Sequence, residues 1–429
     1  MSRSPINKSL LPDNAAVDER GELLIGGVTA TDLARTFGTP LFVYDEEHLR
    51  DRCRQVVDAF GRGAVYATKA FLCTAMARLA HEEGMRLDVA TGGEYHVARA
   101  AGVPARDLVF HGNNKSDAVR RRAREEGVGT VVGDSNDEMD RIESLVGAGL
   151  AAPQVLIRIT PGVEAHTHEF VRTGQDDSKF GFTVSSGAAE AALERARSSN
   201  KMRLQGVHAH IGSQIFSKES IVAAAEIVIG FALGRGLAEV SLGGGRGVQK
   251  DKGETAPTNG EWPRETQGVA QSSGLDASLS VEPGRAVTAS AAVTIYRAGT
   301  IKHLEGIRTY VAVDGGMSDN PRPVLYGSGY ETFLARSVDS DRDMEVRLVG
   351  KHCETGDVLV SSAWLPSDLE VGDIVVTPVT GAYGHSMGSN YNKVLRPAVV
   401  FVSDGEAREV VRRETYDDLL ATDLGLGRE

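Results

Sequence analysis

Gly243-Gly244-Gly245-Arg246-Gly247 follows the seventh of eight short apolar runs, and that position separates two folds. The runs are 64–69, 86–90, 108–111, 130–134, 154–160, 204–210, 239–242 and 279–282. Between most of them lie segments with helical spacing, at 72–83, 94–101, 116–126, 137–146, 186–198 and 219–233. Strands alternating with helices imply right-handed βαβ units and a parallel sheet. A doubly wound sheet carries its glycine fingerprint after the first strand, whereas here the glycines come after the seventh. Eight units in roughly 220 residues match a (β/α)8 TIM barrel, in which phosphate often binds the loops after strands 7 and 8. The expected class is therefore α/β with a barrel at its centre.

Outward from the barrel the pattern changes. Beyond residue 285 the runs 293–296, 309–313, 346–349, 358–360 and 374–376 read as strands without intervening helices. Asp404-Gly405 lies between two apolar runs and reads as a hairpin turn. These features predict a second, antiparallel β domain of sandwich or barrel type, joined by the N-terminal strands near 22–44. The expected division is 44–288 for the barrel, with 1–43 plus 289–429 for the β domain. The stretch 250–274 is polar and weakly patterned, so a long mobile loop is expected there.

A chain of 429 residues has ample length for two or three domains. Its net charge of −12 argues against nucleic acid or an anionic membrane as partner. The longest apolar runs, such as 221–233, are too short to span a bilayer, and the N-terminus lacks the apolar core of a signal peptide. Cys53, Cys73 and Cys353 are too few and too scattered for a disulfide framework or a zinc site, which points to the reducing cytoplasm.

A barrel gathers its chemistry at the C-terminal ends of its strands. On this reading Lys69 ends the first strand, Asp88 lies late in the second, and His208 and His210 end the sixth on one side. Glu282, with Pro283-Gly284-Arg285, ends the eighth. Each has an ordinary explanation alone: a solvated lysine, a tight glycine turn, or a histidine pair without obvious further metal ligands. Together they meet the needs of pyridoxal phosphate. A lysine of lowered pKa forms the Schiff base, backbone N–H groups hold the phosphate, and an acid keeps the pyridine nitrogen protonated.

Tyr66-Ala67-Thr68-Lys69-Ala70, Asp88-Val89-Ala90-Thr91-Gly92-Gly93-Glu94, His111-Gly112-Asn113-Asn114-Lys115-Ser116, His208-Ala209-His210-Ile211-Gly212-Ser213 and Glu282-Pro283-Gly284-Arg285 resemble the motifs of the alanine-racemase-fold pyridoxal-phosphate decarboxylases. Asp314-Gly315-Gly316-Met317-Ser318-Asp319-Asn320, Cys353-Glu354-Thr355-Gly356-Asp357 and Gly381-Ala382-Tyr383 narrow the resemblance to diaminopimelate decarboxylases of actinobacterial type. The resemblance implies decarboxylation of meso-2,6-diaminopimelate to L-lysine and CO2, with Lys69 holding the cofactor, His210 stacking on its ring and Glu282 pairing with its nitrogen. It further implies that Asp88 joins the cofactor set and that Ser213, Gly244, Gly245 and the backbone around Gly284 bind the phosphate, with Tyr383 nearby. Arg285, Arg322 and Tyr326 would grip the distal carboxylate of the substrate, and Arg285 and Tyr383 would serve both cofactor and substrate. Glu354 would hold the distal ammonium and Cys353 would return a proton after CO2 leaves. In the family the last two reach the site from a second copy, which implies a homodimer. No metal is expected.

Three features depart from the family pattern. Arg246-Gly247-Val248-Gln249-Lys250 replaces a more apolar run, the segment 216–243 is short, and His385 stands where an aromatic is usual. His385 bears on the polarity and pH profile of the site. Alternatives are a decarboxylase of this fold acting on a related amino acid, or an inactive regulatory homologue. The latter would be expected to lose Lys69 or Glu282, and both are present.

Overall fold

In the computed structural model, which describes residues 4–162, 176–210, 212–250 and 261–425, the chain divides into two units. One comprises Arg50–Val248 and Thr255–Val287, the other Met1–Leu49, Gln249–Glu254 and Thr288–Glu429.

The first unit is the expected barrel. Its strands are β1 (Val65–Ala67), β2 (Arg86–Val89), β3 (Leu108–Phe110), β4 (Thr130–Gly133), β5 (Gln154–Thr160), β6 (Arg203–His208), β7 (Glu239–Ser241) and β8 (Ser278–Ser280). Each pairs in parallel with the next. A parallel bridge between Ala64 and Val281 closes the ring, with Val65 N–H donating to Val281 O and Val281 N–H to Gly63 O. Val65, Val109, Val132 and Leu156 pack together as buried residues of β1, β3, β4 and β5, the branched filling that such an interior requires. Thr91, Ser116, Ser135 and Ser217 each accept an N–H from the first turn of the helix that follows. These caps fix where each helix starts and so how long each rim loop is.

Two readings need correction. The strands mostly stop one or two residues earlier than the apolar runs do. Lys69 lies in a 3-10 turn, Thr68–Ala70, and His210 and Glu282 each lie two residues past a strand. The rim backbone turns to other partners there, for example Ala67 N–H to Pro283 O and Glu282 N–H to Gly243 O. The expected loop 250–274 contains a helix, Glu261–Ser272, while 251–260 lies outside the described residues. Trp262, Thr266 and Val269 form its buried stripe, and Pro263 sits in the first turn, where its missing N–H costs nothing.

In the second unit a sheet runs in the order Val358–Leu365, Met344–Val349, Arg308–Val313, Ala292–Leu304, Leu41–Asp45, Ala398–Ser403, Glu406–Val411. Ile374–Pro378 also pairs with Ala292–Leu304. Leu41–Asp45 brings an N-terminal strand into the sheet, while Leu23–Ile25 belongs to a separate three-stranded sheet. The domain is mixed rather than wholly antiparallel, because Leu41–Asp45 pairs in parallel with Ala398–Ser403, as does Arg308–Val313 with Met344–Val349. Asp404 and Gly405 turn the expected hairpin with φ of 52° and 80°, the signs a two-residue turn between twisted strands demands. Among the described residues no helix is long and apolar enough to cross a membrane.

Candidate active site

Seen from the barrel rim upward, the lysine comes first. Thr68 Oγ1 donates to Asp88 O at 2.7 Å and the Tyr66 hydroxyl to Phe71 O at 2.6 Å, so the turn that carries Lys69 is held at both ends. Lys69 itself is exposed between buried Thr68 and Ala70.

His210 accepts the N–H of Gly244 on Nδ1 at 3.0 Å, which places its proton on Nε2. Burial, with the charges of Lys69 and Arg158, pulls its pKa well below the usual histidine value, so the ring is neutral. The triple glycine is a requirement of close approach. A Cβ at Gly243 would lie 2.4 Å from Ala209 O, at Gly244 2.3 Å from Glu282 O, and at Gly245 2.4 Å from Gly212 O. The loops after β6, β7 and β8 are thus pressed together backbone to backbone. Nearby in this set, buried Arg285 donates to Ser213 Oγ at 3.3 Å, pairing a cation with a hydroxyl.

Glu282 is the centre of a buried charge cluster. His208 Nε2 donates to its Oε2 at 2.9 Å and the Ser241 hydroxyl to its Oε1 at 3.2 Å. His111 Nε2 lies 3.2 Å from Oε1 and 3.8 Å from Asp88 Oδ1, and the two histidine rings meet edge to face at 4.9 Å. Burial alone would raise the Glu282 carboxyl, but His111 and His208 outweigh it and hold it well below the usual range. Burial likewise opposes a charge on His111, yet Asp88 and Glu282 prevail and raise its pKa. Asp88 is raised by burial, partly offset by His111. The His111 turn is braced by Lys115, whose ammonium bonds Glu138 at 2.6 Å, Gly112 O at 2.7 Å and Val132 O at 2.9 Å.

In the β unit, Arg322 opens the helix Arg322–Tyr326, and its guanidinium stands 4.9 Å from the Tyr326 ring and 5.5 Å from that of Tyr383. It is buried, and among the described residues its Nε has no hydrogen-bond partner and its guanidinium no carboxylate within 4 Å. Tyr383 holds a left-handed φ of 63°, an uncommon backbone for a bulky residue that clusters at functional sites. Cys353 and Glu354 are exposed. Cys353 N–H donates to Asn392 Oδ1 at 3.2 Å, and His352 Nδ1 lies 3.3 Å from the same oxygen. His352 Nε2 meets Ser318 Oγ at 2.8 Å, its ring stacks on Tyr391 at 5.4 Å, and the Tyr391 hydroxyl reaches Glu354 at 3.5 Å.

The structure therefore groups Lys69, Asp88, His210, Ser213, Gly244, Gly245, Glu282, Gly284 and Arg285 in the barrel. It groups Arg322, Tyr326 and Tyr383, and separately Cys353 and Glu354, in the β unit. The reading from sequence sets His208 on the rim without giving it a role, and gives none to His111, Ser241, Arg158 or Asn392. Arg158 carried a signal, a cation inside the apolar run 154–160, and His111 stood at the end of a strand in a quoted motif. Asn392 carried none.

The barrel residues fit pyridoxal phosphate. Glu282 is an anionic acceptor for a protonated ring nitrogen, Arg285 with Ser213 is a cation–hydroxyl pair suited to a phosphate, and the glycines leave the cradle free of side chains. Residues 46–289 match the pyridoxal binding domain of the pyridoxal-dependent decarboxylases, the class that this barrel and its charges define. Among curated relatives, diaminopimelate decarboxylase of Mycobacterium tuberculosis is 44% identical, over 96% of this chain and 97% of its own. That of Bacillus subtilis is 43% identical over 95% and 96%. Among solved structures, diaminopimelate decarboxylase from M. jannaschii in complex with L-lysine superposes with a TM-score of 0.87 at 30% identity, covering 96% of this chain and 98% of the other. The Helicobacter pylori enzyme complexed with L-lysine gives 0.83 at 29%, covering 91% and 98%. The chain belongs to the diaminopimelate decarboxylase family.

Proposed function

We propose that the chain decarboxylates meso-2,6-diaminopimelate to L-lysine and CO2 with pyridoxal phosphate as cofactor, working as a cytoplasmic homodimer. The observation that carries this reading is 44% identity, end to end, to curated enzymes of that name. Lysine-bound structures of the same fold support it.

When bound, the cofactor supplies a protonated pyridine ring that takes up the electron pair left behind by CO2. This chain's residues do the rest. Lys69 would hold the cofactor covalently, and neutral His210 would pack against its ring without adding a charge. Glu282 would keep the ring nitrogen protonated. Ser213, Gly245 and the Gly284-Arg285 segment would hold the phosphate, while Gly244, whose N–H is given to His210, shapes the cradle and aims the imidazole. Arg322, a buried guanidinium flanked by two tyrosines, would receive the distal carboxylate, which its planar fork suits. Arg285 and Tyr383 would serve cofactor and substrate alike. Glu354 would hold the distal ammonium and the Cys353 thiol would deliver a proton to the α-carbon. Both stand exposed on their unit, as residues offered to a second copy must.

The test is CO2 and amine release by cofactor-loaded protein from meso-diaminopimelate, L-lysine, L-ornithine and L-arginine, with Lys69→Ala as control. Lysine formed from meso-diaminopimelate alone is the expected result. Turnover of ornithine or arginine, or of none of the four by protein showing a bound-cofactor absorbance, overturns the substrate assignment.

A further inference from the structure

We propose that His208 and His111 are positioning residues that hold the Glu282 carboxylate from its two oxygens, so that the group facing the cofactor's ring nitrogen is a His–Glu–His unit and not a lone acid. The inference rests on the cofactor reading above and adds two residues to it.

A carboxyl buried this deeply takes up a proton unless donors compensate it. A protonated Glu282 would present a hydroxyl where the ring nitrogen needs an acceptor. The two histidines prevent this in different ways. His208 Nδ1 is buried and among the described residues has no hydrogen-bond partner, and an N–H left there would be a costly orphan. Its single proton therefore sits on Nε2, in the 2.9 Å bond to Glu282 Oε2. His208 is a neutral donor that fixes the carboxylate's orientation. His111 instead brings its Nε2 within ion-pair distance of two carboxylates, Asp88 and Glu282, without hydrogen-bond geometry to a partner among the described residues, and supplies positive charge. The directions of the shifts agree, His208 down chiefly by burial and His111 up through its two carboxylates against burial.

The oxygens are not equivalent. Oε1 faces both Ser241 and His111, whereas Oε2 takes one protein donor among the described residues. A carboxylate oxygen accepts two hydrogen bonds, so Oε2 keeps one position for a ligand donor. His208, bonded to that same oxygen, sets the direction in which the position points.

The experiment measures pyridoxal-phosphate affinity of the apoprotein by fluorescence quenching, together with the absorbance of the bound cofactor. The variants are Lys69→Ala, Glu282→Gln, His208→Gln, His208→Asn, His111→Gln and His111→Leu. Glutamine carries its amide nitrogen near the place of Nε2, while asparagine is too short to reach. The expected result is that His208→Gln stays close to wild type and His208→Asn weakens binding about tenfold or more, the loss of a bond to a charged group. Equal affinities for those two variants overturn the proposal, because a purely space-filling histidine would not distinguish them. If thermal melts show either one unfolded, the His111 pair decides: both variants lack the charge and are expected to bind more weakly than wild type, leucine the more so, and wild-type affinity in both overturns the proposal. Failure of the underlying reading looks different: wild type then binds no cofactor, or Glu282→Gln binds as wild type does.

Discussion

Burial, helped by the charge of Arg396, brings the His385 pKa down to about 4, and its ring meets Phe42 edge to face at 5.8 Å. The imidazole is therefore neutral over the working range, a polar stand-in for an aromatic ring that adds no titration of its own. His385→Phe should leave the shape of the kcat/KM–pH curve unchanged between about pH 6 and 8, where an ordinary histidine titrates; an altered limb in that window rejects the assignment. Asp319 behaves differently. It accepts from the Tyr296 hydroxyl at 2.7 Å and Gly316 N–H at 2.8 Å, and burial raises its pKa from 3.8 to about 7. The folded state thus binds more protons than the unfolded chain between these values, and the stability this contributes is lost as pH rises through about 7. Thermal melts of wild type and Asp319→Asn should show the wild-type Tm declining relative to the variant from about pH 4 to 7 and levelling above. Parallel curves would contradict this.

Between residue and domain lies the turn that carries Cys353 and Glu354, where Asn392 adds a side-chain clamp to the hold that Asp357 keeps on His352 N–H. Asn392, at a left-handed φ of 51°, accepts Cys353 N–H and faces His352 with the same oxygen. Asn392→Gly keeps that backbone accessible and removes only the acceptor. We expect kcat to fall about tenfold to a hundredfold, as misplacement of the proposed proton donor predicts, with cofactor affinity unchanged; normal kcat would show that the turn holds itself. This clamp was invisible in the sequence because it joins residues 39 apart through a side chain with no pattern around it. The barrel strands were legible as apolar runs alternating with helical segments, four of which open on a capping serine or threonine. Helix Glu261–Ser272 was not, since its buried stripe is only Trp262, Thr266 and Val269 in an otherwise polar segment, and a threonine in that stripe hides the period. The two parallel pairings of the β unit were also hidden, because strand direction depends on distant partners.

At the scale of the whole molecule, the proposed dimer predicts complementation. Lys69→Ala and Cys353→Ala homodimers should each be nearly inactive. Mixed under conditions that exchange subunits, half the dimers become hybrids, each with one site holding both wild-type residues. Activity should return to about a quarter of wild type, as two-fold symmetry requires. No recovery, with hybrids verified by native mass spectrometry, would mean that both residues serve one site from one chain. The seam between Ala64 and Val281 that closes the barrel has a further consequence, one of time. During synthesis the segment bearing Lys69 leaves the ribosome first, and its neighbouring wall, with Glu282, follows more than two hundred residues later. At about 5–20 residues per second that interval lasts some ten to forty seconds. Throughout it the first strand has one edge without its partner and the lysine has no carboxylate cluster beside it. On the proposed roles cofactor capture is thus an event of the finished barrel, and any nascent chain arrested before the eighth strand carries Lys69 without the site proposed to give it a use.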